Sequence, residues 1–433
     1  MNDGVAAEPR ESDEPSDEPS AEPSDEPEAT PLLSPADGVP ELAARAEQIA
    51  EAARRLSAGH GPFAIDAERA SGFRYSNRAY LIQIRRSGAG TVLIDPVNHG
   101  GSPIDVLKPV AEVLETDEWI LHAADQDLPC LAEVGLRPPA LYDTELAGRL
   151  AGLERVNLAA MVQRLLGLGL AKGHGAADWS KRPLPAAWLN YAALDVEVLI
   201  ELREAVGALL AEQRKNHWAA EEFEYLRCAE SAPTRRDRWR RTSGLHKVRT
   251  REGLAAVREM WTVRDRIARS RDIAPGRILP DSAIIAAALA DPKTAEELTA
   301  LAVFGGSKQR RTAKVWLDAL AAARRTDDLP EINEPLAGPP PPVRWSKRKP
   351  EAAAFLEAAR TAIGELSAEV GIPTENLLSP DLVRRLCWDW QTTSAPGPAV
   401  EAFLRQAGAR NWQRELVVPV LTRALTPEEP GPG

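Results

Sequence analysis

Residues 63–68 read FAIDAE: an apolar run that ends on two carboxylates, Asp66 and Glu68. Side chains alternate along an extended segment, so Asp66 and Glu68 leave the strand on one face. Two acids side by side at the end of a buried strand repel each other and lose hydration, a cost that a bound cation offsets. The pair alone decides nothing, because surface acids at this spacing are common. Its surroundings add meaning. An amphipathic helix (ELAARAEQIAEAARRL) opens at Glu41, and apolar strands follow at Phe63–Asp66, Ala79–Arg85, Thr91–Asp95 and Trp119–Ala123. Three strands in succession and then alternating helix and strand predict an α/β domain, a mixed sheet with flanking helices.

Two further stretches carry acids at element ends. After the fourth strand, WILHAADQDLPCL places Asp125 and Asp127 where a helix begins, and capping is the simple account of either one. His122 in the same stretch is a candidate base or substrate contact, though a histidine at a buried strand end more often packs and hydrogen-bonds. The third stretch, NYAALDVEVLIELREAV, reads as a helix. Tyr191 and Asp195 stand one turn apart on one face of it. What raises these residues above the ordinary is their order, Asp66, Glu68, Asp127, Tyr191 and Asp195, within one domain-sized stretch.

With its flanking text, AYLIQIR after the first motif, ILHAADQDL at the second and DWSKRPLPAAWLNYAALDV at the third, this order resembles the DEDD superfamily of 3′-to-5′ exonucleases. Within it the chain is similar to the ribonuclease D family, whose third motif carries a tyrosine. The resemblance covers Phe63 to Leu202 in detail and implies a ribonuclease H-like α/β exonuclease domain. It departs at Lys172–Ser180 (KGHGAADWS), where glycine and alanine stand in place of bulkier polar residues. Phosphodiester hydrolysis brings a negative nucleophile to an anionic phosphorus and expels an alkoxide. Two divalent ions about 3.5–4 Å apart activate the water and stabilise the leaving oxygen, and hard carboxylate ligands suit Mg²⁺ or Mn²⁺. The resemblance implies that Asp66 bridges both ions, Glu68 and Asp195 complete the first site, and Asp127 holds the second. It implies that Tyr191 orients the attacking water, since a phenol with a reference pKa of about 10 is a poor base at neutral pH. Basic and aromatic neighbours, Lys172, Lys181 and Arg182 beside the third motif and Phe73, Arg74, Tyr75, Asn77 and Arg78 after the first, are candidate phosphate and base-stacking contacts.

The chain has 433 residues with a net charge of −11, enough for two to four domains. Residues 1–37 hold twelve acids and one base in a Ser/Asp/Glu/Pro repeat, and the other 52 acids and 52 bases leave the body neutral. With almost nothing apolar to bury, that segment is expected to stay disordered. The three cysteines, Cys130, Cys228 and Cys387, lie far apart and form no C-x-x-C pair, which argues against a disulfide framework or a structural zinc site and for a reducing cytoplasm. No run reaches the ~20 apolar residues of a membrane helix.

The exonuclease domain is expected over 38–230 and a basic linker over 231–244, with Arg235, Arg236, Arg238, Arg240 and Arg241 around Trp239. The helical unit 245–325 (LAAVREMWTVRDRIARSRDIAPGRILPDSAIIAAA, then LTALAVFGG) resembles the HRDC module, which implies auxiliary nucleic-acid binding. Arg264, Arg266, Arg269 and Arg271 with Lys308, Arg310, Arg311 and Lys314 supply its cations. A Pro-rich linker, 326–350, is read as an extended spacer. It leads to a third helical unit, 351–425, a candidate degenerate second HRDC module, and a disordered tail, 426–433. Trp388, Trp390 and Trp412 are read as core residues. The chain has no phosphate-binding G-x-x-x-x-G-K-[ST] loop.

The expectation is a metal-dependent 3′-to-5′ exoribonuclease releasing nucleoside 5′-monophosphates from single-stranded RNA 3′ ends, acting as a cytoplasmic monomer without a membrane partner, with tRNA precursors as the family-implied substrate. Two rivals stay open: an exonuclease acting mainly on single-stranded DNA, and a catalytically silent nucleic-acid-binding protein, which the intact acids oppose.

Overall fold

The computed structural model describes residues 29–97, 101–171, 173–229, 237–333, 338–391 and 393–426. Eight strands fall among them: β1 (Thr30–Leu32), β2 (Leu42–Ala43), β3 (His60–Arg69), β4 (Ala79–Ser87), β5 (Gly90–Ile94), β6 (Trp119–Leu121), β7 (Leu141–Asp143) and β8 (Leu168–Leu170). Six form a mixed sheet in the order β2-β5-β4-β3-β6-β7. β3 lies inside it, antiparallel to β4 and parallel to β6. Helices Ala46–Ser57 and Pro103–Leu114 cover one face, where Ile49, Leu56, Ile65, Ile82, Leu107 and Val110 form a core. Helix Ala186–Glu197 packs against β3, β4 and β5, with Ala192 and Ala193 set against Leu81, Leu93 and Trp179.

The four expected strands of the central sheet are β3, β4, β5 and β6, and the differences are local. Leu141–Asp143 is a further strand, and a helix starts at Thr144 with Asp143 as its cap, accepting from Leu146 N at 3.0 Å. Leu42–Ala43 pairs with β5, so the first helix begins at Ala46 and not at Glu41. The expected disordered tail 1–37 is too long at its inner end. Thr30–Leu32 pairs in parallel with Leu168–Leu170. Leu33 O then accepts from Asn190 Nδ2 at 2.9 Å, and Ala36 N donates to Glu197 Oε1 at 3.2 Å. Residues 1–28 and 427–433 lie outside the described residues.

The second unit is a helical bundle built on Arg251–Arg271, Asp281–Ala290 and Ser307–Arg325. The described part of the expected basic linker belongs to it. Trp239 is buried in the bundle core, and its Nε1 donates to Asp237 at 2.9 Å; Arg235 and Arg236 lie outside the described residues. Phe304–Gly306 forms the turn into the last helix.

The third unit is not independent of the first. Its helices Pro350–Val370, Pro380–Asp389, Pro396–Gln406 and Asn411–Leu425 share one core with helices of the exonuclease domain, including Leu150, Met161, Val206, Leu210 and Phe223. Trp412 stacks on Trp218 at 5.4 Å and donates to Glu222 at 2.9 Å. Glu222 also receives Arg410 at 2.5 Å. The Pro-rich stretch is accordingly pinned at its described ends and does not act there as a free spacer. Arg258 binds Asp328 at 2.9 Å, and Arg384 donates to Pro339 O at 3.0 Å. Trp412 and Trp390 are buried, and Trp388 packs on Trp345 at 5.0 Å.

Candidate active site

The site forms where β3 ends, where the chain leaves β6 and where helix Ala186–Glu197 crosses the sheet. Asp66 and Glu68 project from β3 on one face. In the hairpin register Asp66 faces Gln83 of β4, whose Nε2 donates to Asp66 Oδ2 at 3.0 Å. Tyr191 and Asp195 lie one turn apart on the helix, close enough for each to shift the other's proton affinity. Carboxylate oxygens of Asp66, Glu68 and Asp195 all come within 4.8 Å of one another. Asp127 arrives from the turn after β6. It stands at the start of helix Leu128–Glu133 but makes no side-chain cap bond, so capping does not account for it. Its carboxylate lies outside that group of three but near enough to repel Asp66 and Glu68, and all five residues line one cavity of about 800 Å³.

That turn is strained. Ala123 sits in the left-handed region at φ 58°, unfavourable for a residue with a Cβ. Buried Asp143 holds it, accepting from Ala123 N at 3.2 Å and Ala124 N at 2.8 Å. The strained segment lies between His122 and Asp127, where such strain often accompanies function.

The electrostatics are those of a site with more negative than positive charge. Burial pushes the Glu68 carboxyl up to about 9, with Asp66, Asp195 and Asp127 adding repulsion and Arg69 opposing it. Burial and the nearby Asp66 hold Asp127 and Asp195 well above the carboxylate range, and burial raises Asp66. The Tyr191 hydroxyl is driven up by burial and then by the charges of Asp195, Glu68 and Asp66. Close carboxylates cannot all ionise without a cation among them. Asp127 Oδ1 is buried with no hydrogen-bond partner, as an oxygen waiting for a cation would be. The donor set is all hard oxygen and fits Mg²⁺-like ions.

Residues 41–211 match the sequence family described as 3′-5′ exonuclease, residues 253–320 the HRDC domain, and residues 338–425 the 3′ to 5′ exonuclease C-terminal domain. A ribonuclease D from Acidiphilium cryptum is 30% identical over 312 residues, covering 69% of this chain and 76% of that protein. This chain belongs to the ribonuclease D family. The likeness extends to solved structures. A crystal structure of a protein from Bifidobacterium adolescentis matches with a TM-score of 0.82 at 36% identity, over 92% of this chain and 100% of that one. Escherichia coli RNase D, described as an exoribonuclease involved in structured RNA processing, shares the fold with a TM-score of 0.64 at 24% identity, over 89% of this chain and 98% of that one.

Against the ribonuclease D frame, the expected substrate contacts divide. His122 lines the cavity, its Nδ1 2.8 Å from Thr144 Oγ1, and burial lowers it to about 4. It is therefore a neutral wall at pH 7 and not a cation. Arg182 does not reach the cavity: its guanidinium is committed to Asp95 at 2.6 Å and to the carbonyls of Tyr80 and Trp179 at 2.7 Å each. Lys181 is exposed outside the cavity lining, and Lys172 lies outside the described residues. The loop after the first motif is turned to another use. Tyr75, Ser76 and Arg78 bind Asp265 and Asp272 of the HRDC module, and Arg277 covers Phe73 at 4.1 Å from its ring centre. Arg74 donates to Ser180 Oγ at 2.7 Å.

Four features of this ribonuclease D site escape the sequence reading: Arg69, Gln83, Asp143 and the role of Gly173. A Cβ at Gly173 would stand 1.6 Å from Tyr191 Cε2, so the glycine lets the backbone lie against the tyrosine ring. Gln83 had a visible signal, a lone amide inside the apolar strand AYLIQIR.

Proposed function

We infer that the chain is a 3′-to-5′ exoribonuclease that hydrolyses phosphodiester bonds at RNA 3′ ends and releases nucleoside 5′-monophosphates. Its cofactor in this reading is a pair of divalent cations, Mg²⁺ or Mn²⁺, held by Asp66, Glu68, Asp127 and Asp195. The observation that carries the reading is the approach of the Asp66, Glu68 and Asp195 oxygens to within 4.8 Å beside Tyr191. When bound, such cations offset the phosphate charge, activate water and stabilise the departing 3′ oxygen.

The chain's own groups do the rest. Gln83 fixes the Asp66 carboxylate so that it need not reorganise during the reaction. Tyr191, whose proton is held tightly, offers a hydrogen bond that orients water and does not abstract a proton. Arg155 is exposed at the cavity rim, and Arg310 and Arg311 are exposed on the HRDC module, where they would attract the phosphate backbone. Of the other cations expected there, Arg264 is buried against Asp281 at 2.6 Å and is turned away from RNA, while the exposed Arg269 donates to Tyr75 Oη at 3.2 Å. The third unit repeats the helix plan of the second: helices of 21, 4 and 10 residues open both Arg251–Ala290 and Pro350–Asp389. This supports reading it as a second copy of the module. Single-stranded 3′ ends of tRNA precursors are the proposed substrate, met by a monomer in the cytoplasm. Among the described residues no helix is long and apolar enough to cross a membrane.

Incubation with 3′-labelled single-stranded RNA and matched DNA, in Mg²⁺, Mn²⁺ or EDTA, tests the reading. Metal-dependent release of RNA mononucleotides is expected. A preference for DNA would favour the deoxyribonuclease alternative, and binding without turnover would favour the silent one. Asp66→Asn and Asp195→Asn should each lower turnover at least about a hundredfold, the scale of losing one preorganised electrostatic group, with RNA binding retained.

A further inference from the structure

Arg69 is the last residue of β3, where the ladder with β4 loses register after Glu68. Alternation along the strand would send it away from the face that bears Asp66 and Glu68. At the strand end, however, the 124–127 segment comes alongside, and the guanidinium crosses to it. Nη1 donates to Gln126 O at 2.6 Å, and Nη2 stands 3.3 Å from Asp127 Oδ1. The side chain is 22% exposed and lines the same cavity as the acids. The contact with Asp127 is one of charge alone: Oδ1 is buried and accepts no hydrogen bond. The arginine therefore balances the carboxylate without occupying the lone pairs that a cation needs.

We propose that Arg69 is the internal counter-ion of the Asp127 side of the site: it compensates that carboxylate when no divalent cation is bound and opposes the cation that binds there. This rests on the metal-dependent reading given above. The physical basis is simple. An arginine stays charged at every working pH, and at its distance from Asp127 it repels a second positive charge placed on the same oxygen. The anchor on Gln126 O keeps it from swinging clear. Arg69 thus makes the metal-free protein tolerable and keeps the affinity of one cation low, a setting that the four acids alone do not determine.

Calorimetric titration of the full chain with Mn²⁺ alone, without RNA, tests this. The wild type should take up two ions of unequal affinity, and Asp127→Asn should lose the weaker. In Arg69→Gln, which keeps a donor for Gln126 O, the weaker ion should bind roughly tenfold more tightly, while Arg69→Lys should restore the wild-type value. Thermal melts supply a second readout. Arg69→Gln should melt below the wild type in EDTA, and the gap should close in saturating Mn²⁺; a merely structural arginine would leave it open. Should the glutamine variant fail to fold, Arg69→Met serves the same comparison. Two ions in the wild type with unchanged or weaker affinity in Arg69→Gln would overturn the proposal and leave the functional reading standing. No Mn²⁺ uptake by the wild type would overturn both.

Discussion

The hydroxyl of Tyr75, in the loop that follows the first acidic motif, donates to Asp265 of the HRDC module at 3.0 Å. Around this bond Asp272 receives Ser76 N at 2.8 Å and Tyr80 Oη at 3.3 Å, and Ala274 N donates to Phe73 O at 3.0 Å. The module is thus docked on the segment that leads directly from the catalytic strand. Asp272→Ala removes the shared acceptor, and each lost bond of this kind contributes about 1 kcal/mol. The variant should show faster proteolysis between the two units and a larger radius in small-angle scattering. Its KM for long RNA should rise severalfold while kcat stays within about twofold, because the acids are untouched. An unchanged radius and KM would show that Asp272 does not hold the dock.

Gly173 lies against the Tyr191 ring. The Gly173→Ala methyl group would have to displace that ring, its Cβ falling 1.6 Å from Tyr191 Cε2. A displacement near 1 Å in a positioned group costs up to about a hundredfold in rate. Gly173→Ala should therefore lower kcat by about ten- to a hundredfold with KM nearly unchanged, and Tyr191→Phe should add little to it. Full activity in Gly173→Ala would mean that Tyr191 does not orient the nucleophile.

Asp143 holds the strained turn between His122 and Asp127. Truncation in Asp143→Ala leaves buried N–H groups of Ala123 and Ala124 without their acceptor, at about 1–3 kcal/mol each. The variant should melt several degrees lower and lose activity through a misplaced Asp127. Ala123→Gly, which relieves the left-handed strain at φ 58°, should melt at or above the wild-type temperature. Wild-type activity in Asp143→Ala would contradict the role given to this turn.

His122 titrates at about 4 in the folded chain because burial disfavours its charged form, against an ordinary 6.5. The stability it contributes is therefore present above pH 6.5 and is lost as the pH falls from there through about 4. A ring-proton titration by NMR should find a midpoint near 4. The stability difference between wild type and His122→Gln should shrink across the same window. A midpoint at or above 6.5 would make His122 a cation near neutrality and reopen its part in phosphate binding.

The sequence made the acids legible because their spacing follows element geometry: two apart on a strand for Asp66 and Glu68, one turn apart on a helix for Tyr191 and Asp195. Asp127 was visible only as an acid after a strand, where capping competes as an explanation. Arg69 and Asp143 were not legible, since their partners come from other strands and the pattern along β3 even points Arg69 the wrong way. The loop Phe73–Arg78 was legible in composition but not in use: arginines and aromatics suit an RNA surface and a domain interface equally. The strand Thr30–Leu32 has no signature in the sequence for a related reason. Three residues beside an acidic repeat carry no periodicity, and their order comes from pairing with Leu168–Leu170, far along the chain.

Diffraction from crystals of the full chain soaked in Mn²⁺, recorded for anomalous signal, tests the central claim most directly. Two peaks are expected, one among Asp66, Glu68 and Asp195 and one between Asp66 and Asp127, the second at lower occupancy. An absence of anomalous density in this cavity, or cations bound only elsewhere, would contradict the account.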